Sequence, residues 1–418
     1  MSTPVNYVIG GGLAGLSAAV ALADKGARVV LFEAAGQAGG RCRSYFDPTL
    51  DCVIDNGNHL VLSGNHAVRS YLRTIGAEHA LVGPEHAEFV FVDLASGARW
   101  RLMPNEGPLP WWIFSALRRV PGTEPMDYVR LVPLMLAGSS RRIADVIPCE
   151  GALWDRLMRP FLLAALNTEP ELASASLAGA VLRETLAKGG RAYRPRIAHP
   201  TLAGAFVEPA IAFLAAKGVE VRLGQRLRRM VLDNRQAVAL EFPDGTLPVT
   251  TDDTVVLAIP PWVVRELVPK ISAPDEFRSI VNAHFKIAPP PGAPAMLGVV
   301  GGTAEWIFAF PDRVSVTISG ADAIVDKERE ALAQLIWSDV ERAYGLSCGL
   351  PPWQIVKEKR ATFAATPQQD AKRPQTATNW RNLLLAGDWV DTGLPATIES
   401  AIRSGHKAAQ LAWTRTAV

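Results

Sequence analysis

The chain is poor in cysteine, in net charge and in long apolar runs, and each shortage removes a class of protein. Only four cysteines occur in 418 residues: Cys42, Cys52, Cys149 and Cys348. None forms a C-x-x-C pair or sits near clustered histidines, so neither a disulfide frame nor a metal site is expected. Reduced thiols of this kind suit a cytoplasmic protein. Charged residues make up 20% and balance to a formal +2, which gives no general case for nucleic acid or strong electrostatic steering. No run approaches the roughly 18–20 apolar residues of a membrane-crossing helix. A secretory leader is not expected, because a strand is predicted to begin near residue 5. What is abundant is apolar: 49% of residues are hydrophobic, slightly above the usual share for a globular chain. The length exceeds one ordinary core and predicts two domains, or three at most.

The organising stretch is Tyr7-Val8-Ile9-Gly10-Gly11-Gly12-Leu13-Ala14-Gly15-Leu16, continuing to Glu33. Residues 7–9 read as a short buried strand and 13–25 as an Ala/Leu-rich helix stopped by Gly26. Residues 27–33 read as a second strand ending on an acid. Gly10, Gly12 and Gly15 make a G-x-G-x-x-G turn. The first permits the tight turn, the second lets backbone approach a pyrophosphate, and the third lets helix and strand pack closely. The helix start at Leu13 and Ala14 offers free N–H groups and partial positive charge to phosphates. Glu33 stands where it can accept from ribose hydroxyls. An isolated G-x-G-x-x-G can be an ordinary βα turn, but the complete strand-turn-helix-strand-acid context predicts dinucleotide binding.

Beyond Glu33, Gly39-Gly40 allows a close backbone approach and Arg41 follows at once; a nearby phosphate would explain it. Residues 55–59 read Asp-Asn-Gly-Asn-His, with a turn between apolar stretches. Residues 66–76 predict a helix, and 80–101 a strand pair turning at Ala95-Ser96-Gly97. The segment 108–119 (PLPWWIFSALRR) is amphipathic. It reads either as a peripheral membrane contact, with rings at headgroup depth and arginines on phosphates, or as a buried helix with a basic end. Residues 127–137, 153–166, 173–186, 202–217 and 326–344 read as further helices. Residues 219–223, 226–233, 237–242, 254–261, 283–303 and 306–319 are strand-rich. Near the end, 382–388 is a strand closing on Gly387-Asp388. A loop and a helix start follow, with Pro395, Thr397, Ile398 and Glu399 in the first turn, as helix N-termini prefer.

Glu33 followed by Gly39-Gly40-Arg41 after such a fingerprint resembles the flavin-containing amine oxidase and phytoene desaturase superfamily. The resemblance implies that Glu33 holds the adenosine ribose of FAD and that the Gly39–Arg41 loop runs along the pyrophosphate. Gly57, Asn58 and His59 then reach towards the isoalloxazine, and the backbone at Leu227 meets the adenine. Asp388, after Gly387, contacts phosphate or ribityl groups. The helix N-terminus at Thr397 and Ile398 faces the flavin N1–C2=O edge, where charge collects on reduction. Three separate segments thus fit one FAD. The implied fold is α/β: a Rossmann-like FAD-binding domain with an inserted mixed α+β substrate domain. FAD-domain segments are expected at 1–75, 200–270 and 375–418, and the substrate domain at 76–199 and 271–374. Lys286 lies near where amine oxidases carry a flavin-adjacent lysine, without clean alignment.

The wording AGDWVDTGLPATIESAIRSG (386–405), with DNGNH at 55–59, is similar to the squalene-associated FAD-dependent branch, whose members act as hydroxysqualene dehydroxylases in bacterial hopanoid synthesis. The resemblance covers essentially the whole chain; Asn58 departs from it, standing where a glutamine-like residue is more usual. It implies a long isoprenoid substrate, and a water-insoluble substrate favours a peripheral membrane contact of 108–119 at the cytoplasmic face. Because no second nucleotide-binding fingerprint is found, an external electron donor is expected. The chemistry implied is reductive loss of a hydroxyl, which needs an acid near the leaving oxygen and a dry apolar pocket. His59 is the first candidate for the polar group, against a structural role for the same ring, and Asp391 the second. Two other readings stay open: a polyprenyl or carotenoid desaturase or amine oxidase, and a non-catalytic lipid-binding flavoprotein.

Overall fold

A computed structural model describes residues 3–416. Its centre is a five-stranded parallel sheet: β1 (Val5–Ile9), β2 (Arg28–Phe32), β3 (Glu220–Arg222), β4 (Thr254–Leu257) and β5 (Leu383–Leu385). In space they run β3-β2-β1-β4-β5. The order reverses direction between β1 and β4, and in such sheets a ligand sits at that switch point beyond the carboxyl ends. β1, β2, β4 and β5 are mostly apolar and buried because both faces are covered, whereas the edge strand β3 (Glu220–Arg222) is partly exposed. Between β1 and β2 the chain forms α1 (Leu13–Asp24), and after β5 it forms α2 (Ile398–Thr416), which lies against α1. The contact is unusually close. A Cβ on Gly405 would stand 2.0 Å from Ser17 Oγ and 2.2 Å from the Ala14 carbonyl oxygen.

A second, seven-stranded sheet is built from 89–102 and 277–363. One of its faces packs on the helix Arg329–Tyr344 through Val281, Phe285, Ile307 and Val316, all buried. The other face carries Phe91, Trp100, Trp306 and Phe308 and belongs to the core shared with the helical stretch around 112–182. The eleven-residue strand Trp353–Phe363 was not anticipated from the sequence; its pattern mixes charged and apolar residues, because one edge and part of one face meet solvent. A small sheet of Leu60–Leu62, Pro195–Ala198 and Leu81–Val82 ties the early and middle segments together.

Several helices expected as single pieces are broken, each where a proline removes an N–H. Residues 202–217 split at Val207, ahead of Pro209. Residues 127–137 become Pro125–Val129 and Val132–Met135, the second carrying Pro133. Residues 153–166 pass through a wide turn, Trp154–Met158, before Arg159–Leu166, which holds Pro160. The 108–119 segment forms only one tight turn, Trp111–Phe114. Among the described residues, no helix is long and apolar enough to cross a membrane.

Candidate functional site

The site opens at the carboxyl ends of β1 and β2. Gly10 adopts φ +111° and donates to the Phe32 carbonyl at 2.7 Å, so the chain turns tightly out of β1. A Cβ on Gly15 would fall 1.8 Å from the Gly10 carbonyl oxygen, so only glycine lets α1 start this close to the strand. Over Gly12 the opposite holds: no atom lies within 4 Å of where a Cβ would point. That open space sits at the N-terminus of α1. Gly12 is its cap, with no side chain supplying an acceptor, so the amides of Leu13 and Ala14 are oriented for an anion. Gly39 donates to the Gly11 carbonyl at 2.8 Å and bridges Gly12, with φ +112° and +56° at Gly39 and Gly40. The two glycine loops therefore form one cradle.

Glu33 accepts from the Gly11 amide at 2.6 Å and the Ala35 amide at 2.8 Å, one to each carboxylate oxygen. Each oxygen keeps a further lone pair for a ribose hydroxyl. Leu227 is buried just ahead of the strand Arg229–Leu232, and its own amide takes no acceptor within the described chain. The open space, the free helix-terminal amides and the carboxylate fit the phosphates and ribose of FAD.

The C-terminal segment closes the cradle. Arg41 Nη2 lies 2.7 Å from Asp388 Oδ1, and Nη1 bonds the Ala361 carbonyl, so the glycine loop, the second sheet and the last segment meet. The charge of and hydrogen bond to Asp388 hold the pKa of Arg41 above its usual value. The Gly387 amide donates to Ser404 Oγ at 2.8 Å, which seats this loop on α2. Thr397 caps α2, its Oγ1 accepting from the Ser400 amide at 3.1 Å, and Ile398 is the first helical residue. Glu399, expected to complement its own helix, instead caps another: it accepts from Ala67 and Val68 at 3.1 and 2.9 Å, the first turn of His66–Thr74.

On the far side of the cradle the Asp55–His59 loop lies against the second sheet. Asn282 and Thr317 face each other on paired strands, as do His284 and Ser315. Asn58 Nδ2 donates to Thr317 Oγ1 at 3.1 Å, Thr317 donates to Asn282 Oδ1 at 2.8 Å, and buried Gly57 backs directly onto Asn282. Asn58 Oδ1 is buried without a partner, an acceptor held ready for a ligand N–H or O–H. His59 makes no hydrogen bond among the described residues, whereas His284 is bonded to Ser315 Oγ at 2.8 Å and to the Asp55 carbonyl at 3.1 Å. Burial, helped by Arg41, pushes the His59 pKa down to about 4, so its ring is neutral near pH 7.

Polar residues at even spacing on these strands, Asn282 and His284, then Ser315, Thr317 and Ser319, were the signal available in the sequence for this network. Further along the same face, Phe91 stacks on Trp100 at 5.4 Å and meets Trp306 edge-on at 5.6 Å. The face thus changes from polar, at the Asn58 loop, to aromatic. Beside it, Glu305 accepts from the Ser319 amide at 2.8 Å, and burial raises its pKa to about 8.

Two sequence candidates are drawn elsewhere. Asp391 Oδ2 accepts from Gln375 at 2.8 Å and Oδ1 from the Gly393 amide at 3.1 Å, so this carboxylate shapes its own loop at the surface. Lys286 Nζ donates to the carbonyls of Leu50 and Asp51 at 2.6 and 3.2 Å, which commits it to a turn. Trp389 is buried with its indole N–H on the Ile259 carbonyl at 3.0 Å and forms no aromatic cage. Arg373, unremarked in the sequence, is wholly buried and clamps the 389–394 loop through the carbonyls of Val390 at 2.7 Å and Leu394 at 2.8 Å.

The flavin containing amine oxidoreductase family matches residues 13–412. A hydroxysqualene dehydroxylase of Rhodopseudomonas palustris is 56% identical, covering 97% of both chains. One from Zymomonas mobilis is 49% identical over 98% of this chain and 99% of its own. Among solved structures, cyclohexylamine oxidase of Brevibacterium oxydans superposes with a TM-score of 0.72 at 16% identity, over 99% of each chain. A putrescine oxidase double mutant reaches 0.73 at 15%, over 99% of this chain and all of its own. The chain belongs to the flavin containing amine oxidoreductase family and is an FAD-dependent oxidoreductase.

Proposed function

We propose that this enzyme removes the hydroxyl of hydroxysqualene reductively, giving squalene for hopanoid synthesis. The observation that carries the reading is near-full-length identity of about one half to several hydroxysqualene dehydroxylases. Reduced FAD bound in the cradle supplies the hydride, so that hydroxysqualene, a proton and that hydride give squalene and water.

The chain's own residues have three tasks. The packed aromatic core of Phe91, Trp100, Trp306 and Phe308 borders the polar network and keeps water from it. Asn58 Oδ1 and neutral His59 orient polar atoms at the reacting end, His59 by hydrogen bonding rather than as a charged acid. Glu305, bonded to the Ser319 amide two residues from the Thr317 that holds Asn58, is protonated at neutral pH and is the proton source we assign to the departing hydroxyl. The length and insolubility of the substrate support a position at a bilayer surface on the cytoplasmic side, and electrons would come from an external donor. The commitments of Lys286 and Trp389 disfavour the amine oxidase reading.

The test is anaerobic. With the flavin chemically reduced, added hydroxysqualene should reoxidise it with one squalene formed per flavin. A flavin that stays reduced overturns the proposal, and bleaching of oxidised enzyme by a polyprenyl hydrocarbon would favour a desaturase.

A further inference from the structure

Large exposed hydrophobic side chains are concentrated in one place. Of fourteen among the described residues, eight fall between residues 109 and 136. Leu109, Trp111, Phe114 and Leu117 form the first group, with Trp111 66% and Leu117 86% exposed. In the tight turn Trp111–Phe114 residues three apart eclipse, so both rings emerge on one side, 6.3 Å apart. Met126, Val129, Val132 and Leu136 form the second, on the short helices that follow. The base beneath is firm. Trp112 and Ile113 are buried, Trp112 meets Tyr128 edge-on at 5.1 Å, and the Tyr128 hydroxyl accepts from the Val120 amide at 3.0 Å. Residues 109–136 therefore form one supported apolar platform.

Its charge is one-sided. Residues 109–145 hold five arginines and no lysine, against three acids. Asp127 pairs with Arg130 and Asp145 with Arg142. Arg119 bonds the Ile113 carbonyl and keeps its charge, and the Arg118 guanidinium has no partner among the described residues. A second copy of the chain on this face would set arginine against arginine. An anionic bilayer satisfies both features: rings and leucines enter the acyl boundary while arginines meet phosphates.

We infer that the 109–136 platform docks the enzyme on an anionic lipid bilayer, with Trp111, Phe114 and Leu117 inserted and Arg118 and Arg119 on lipid phosphates. The inference rests on the isoprenoid reading of the substrate for its purpose, but its test uses no substrate. The holoenzyme is floated with vesicles of phosphatidylcholine alone and with added phosphatidylglycerol, beside the triple variant Trp111→Ser, Phe114→Ser, Leu117→Ser. The expected result is binding that needs the anionic lipid, weakens with salt, and falls at least tenfold in the variant, whose FAD content and turnover in detergent micelles stay unchanged. Arg118→Gln should weaken binding and flatten the salt dependence. Wild-type holoenzyme left at the bottom of the gradient overturns the inference, as does equal flotation of the triple variant. So does a dimer in light scattering that the variant dissociates without any vesicle binding. Turnover in micelles decides the substrate reading separately.

Discussion

Arg41 Nη2 and Asp388 Oδ1 stand 2.7 Å apart although 347 positions separate them in the chain. The pair joins the loop that follows β2 to the loop that follows β5, on either side of the cradle. The Arg41 side chain is 43% exposed, so the ion pair itself adds little to folding, about 1 kcal/mol or less. We assign it a larger contribution towards a bound phosphate. Arg41→Ala should leave thermal stability nearly unchanged yet weaken FAD roughly 10- to 100-fold, the value of a charged hydrogen bond. The flavin-to-protein absorbance ratio after dialysis reads this directly, and an undiminished ratio would contradict the assignment.

His59 is neutral near pH 7 because burial holds its pKa at about 4. Turnover should show no inflection near pH 6.5, where an ordinary histidine titrates. His59→Ala should lower kcat by on the order of 10²-fold while retaining FAD. An inflection near 6.5 that disappears in the variant would show instead that the ring carries a proton.

Glu305 has its pKa raised to about 8 by burial. Between the ordinary carboxylate range and pH 8 the unfolded chain loses a proton that the folded chain keeps. Stability from this group is therefore full at low pH and is lost as pH rises towards 8. Glu305→Gln, which cannot titrate, should show a smaller drop in melting temperature from pH 5 to pH 8. As the assigned proton source, Glu305 also predicts turnover falling above about pH 8, a fall absent from the residual activity of the variant. Parallel profiles of the two proteins would count against both statements.

Gly405 lets α2 lie on α1, with space for nothing larger between it and Ser17. Gly405→Ala should destabilise the holoenzyme by about 1–3 kcal/mol through overpacking. It should also perturb the flavin absorbance, because the α2 N-terminus at Thr397 and Ile398 moves with the helix. Unchanged melting and spectrum would mean that the contact relaxes freely.

Arg373 is buried without solvent and holds three loop carbonyls besides Asp370, 3.0 Å away. Arg373→Ala strands that carboxylate and those carbonyls, and should destabilise by about 3 kcal/mol or more. Chemical unfolding of the variant and of the double variant Arg373→Ala, Asp370→Ala separates the stranded charge from lost packing, since the second change should restore part of the loss.

The cofactor cradle was legible because its chemistry is local. Gly10, Gly12, Gly15 and Glu33 lie within one strand-turn-helix-strand unit, and a backbone that must turn tightly and approach phosphates leaves glycine in the sequence. The turn at Gly39–Gly40 and the start of α2 after Thr397 were readable as backbone features for the same reason. Asp391 and Lys286 misled because a carboxylate in a glycine loop and a lysine near a strand end look alike whether they face a cofactor or cap a turn. Their actual partners, Gln375 and the Leu50 carbonyl, are distant in sequence or are backbone.

The amino-acid sequence by itself determined the dinucleotide unit, the membership in a flavin family and the apolar, low-charge character of the chain, since these follow from short-range patterns and composition. Only the tertiary structure decided which polar groups meet at the Asp55–His59 loop. Strand register pairs Asn282 with Thr317, and the loop residue Asn58 meets them across 224 and 259 positions. It also decided that Glu305 is buried enough to hold its proton, and that Trp111 and Phe114 point outward while Trp112 and Ile113 point inward. Burial and pairing are properties of what folds against a residue, and a local pattern carries no record of that partner.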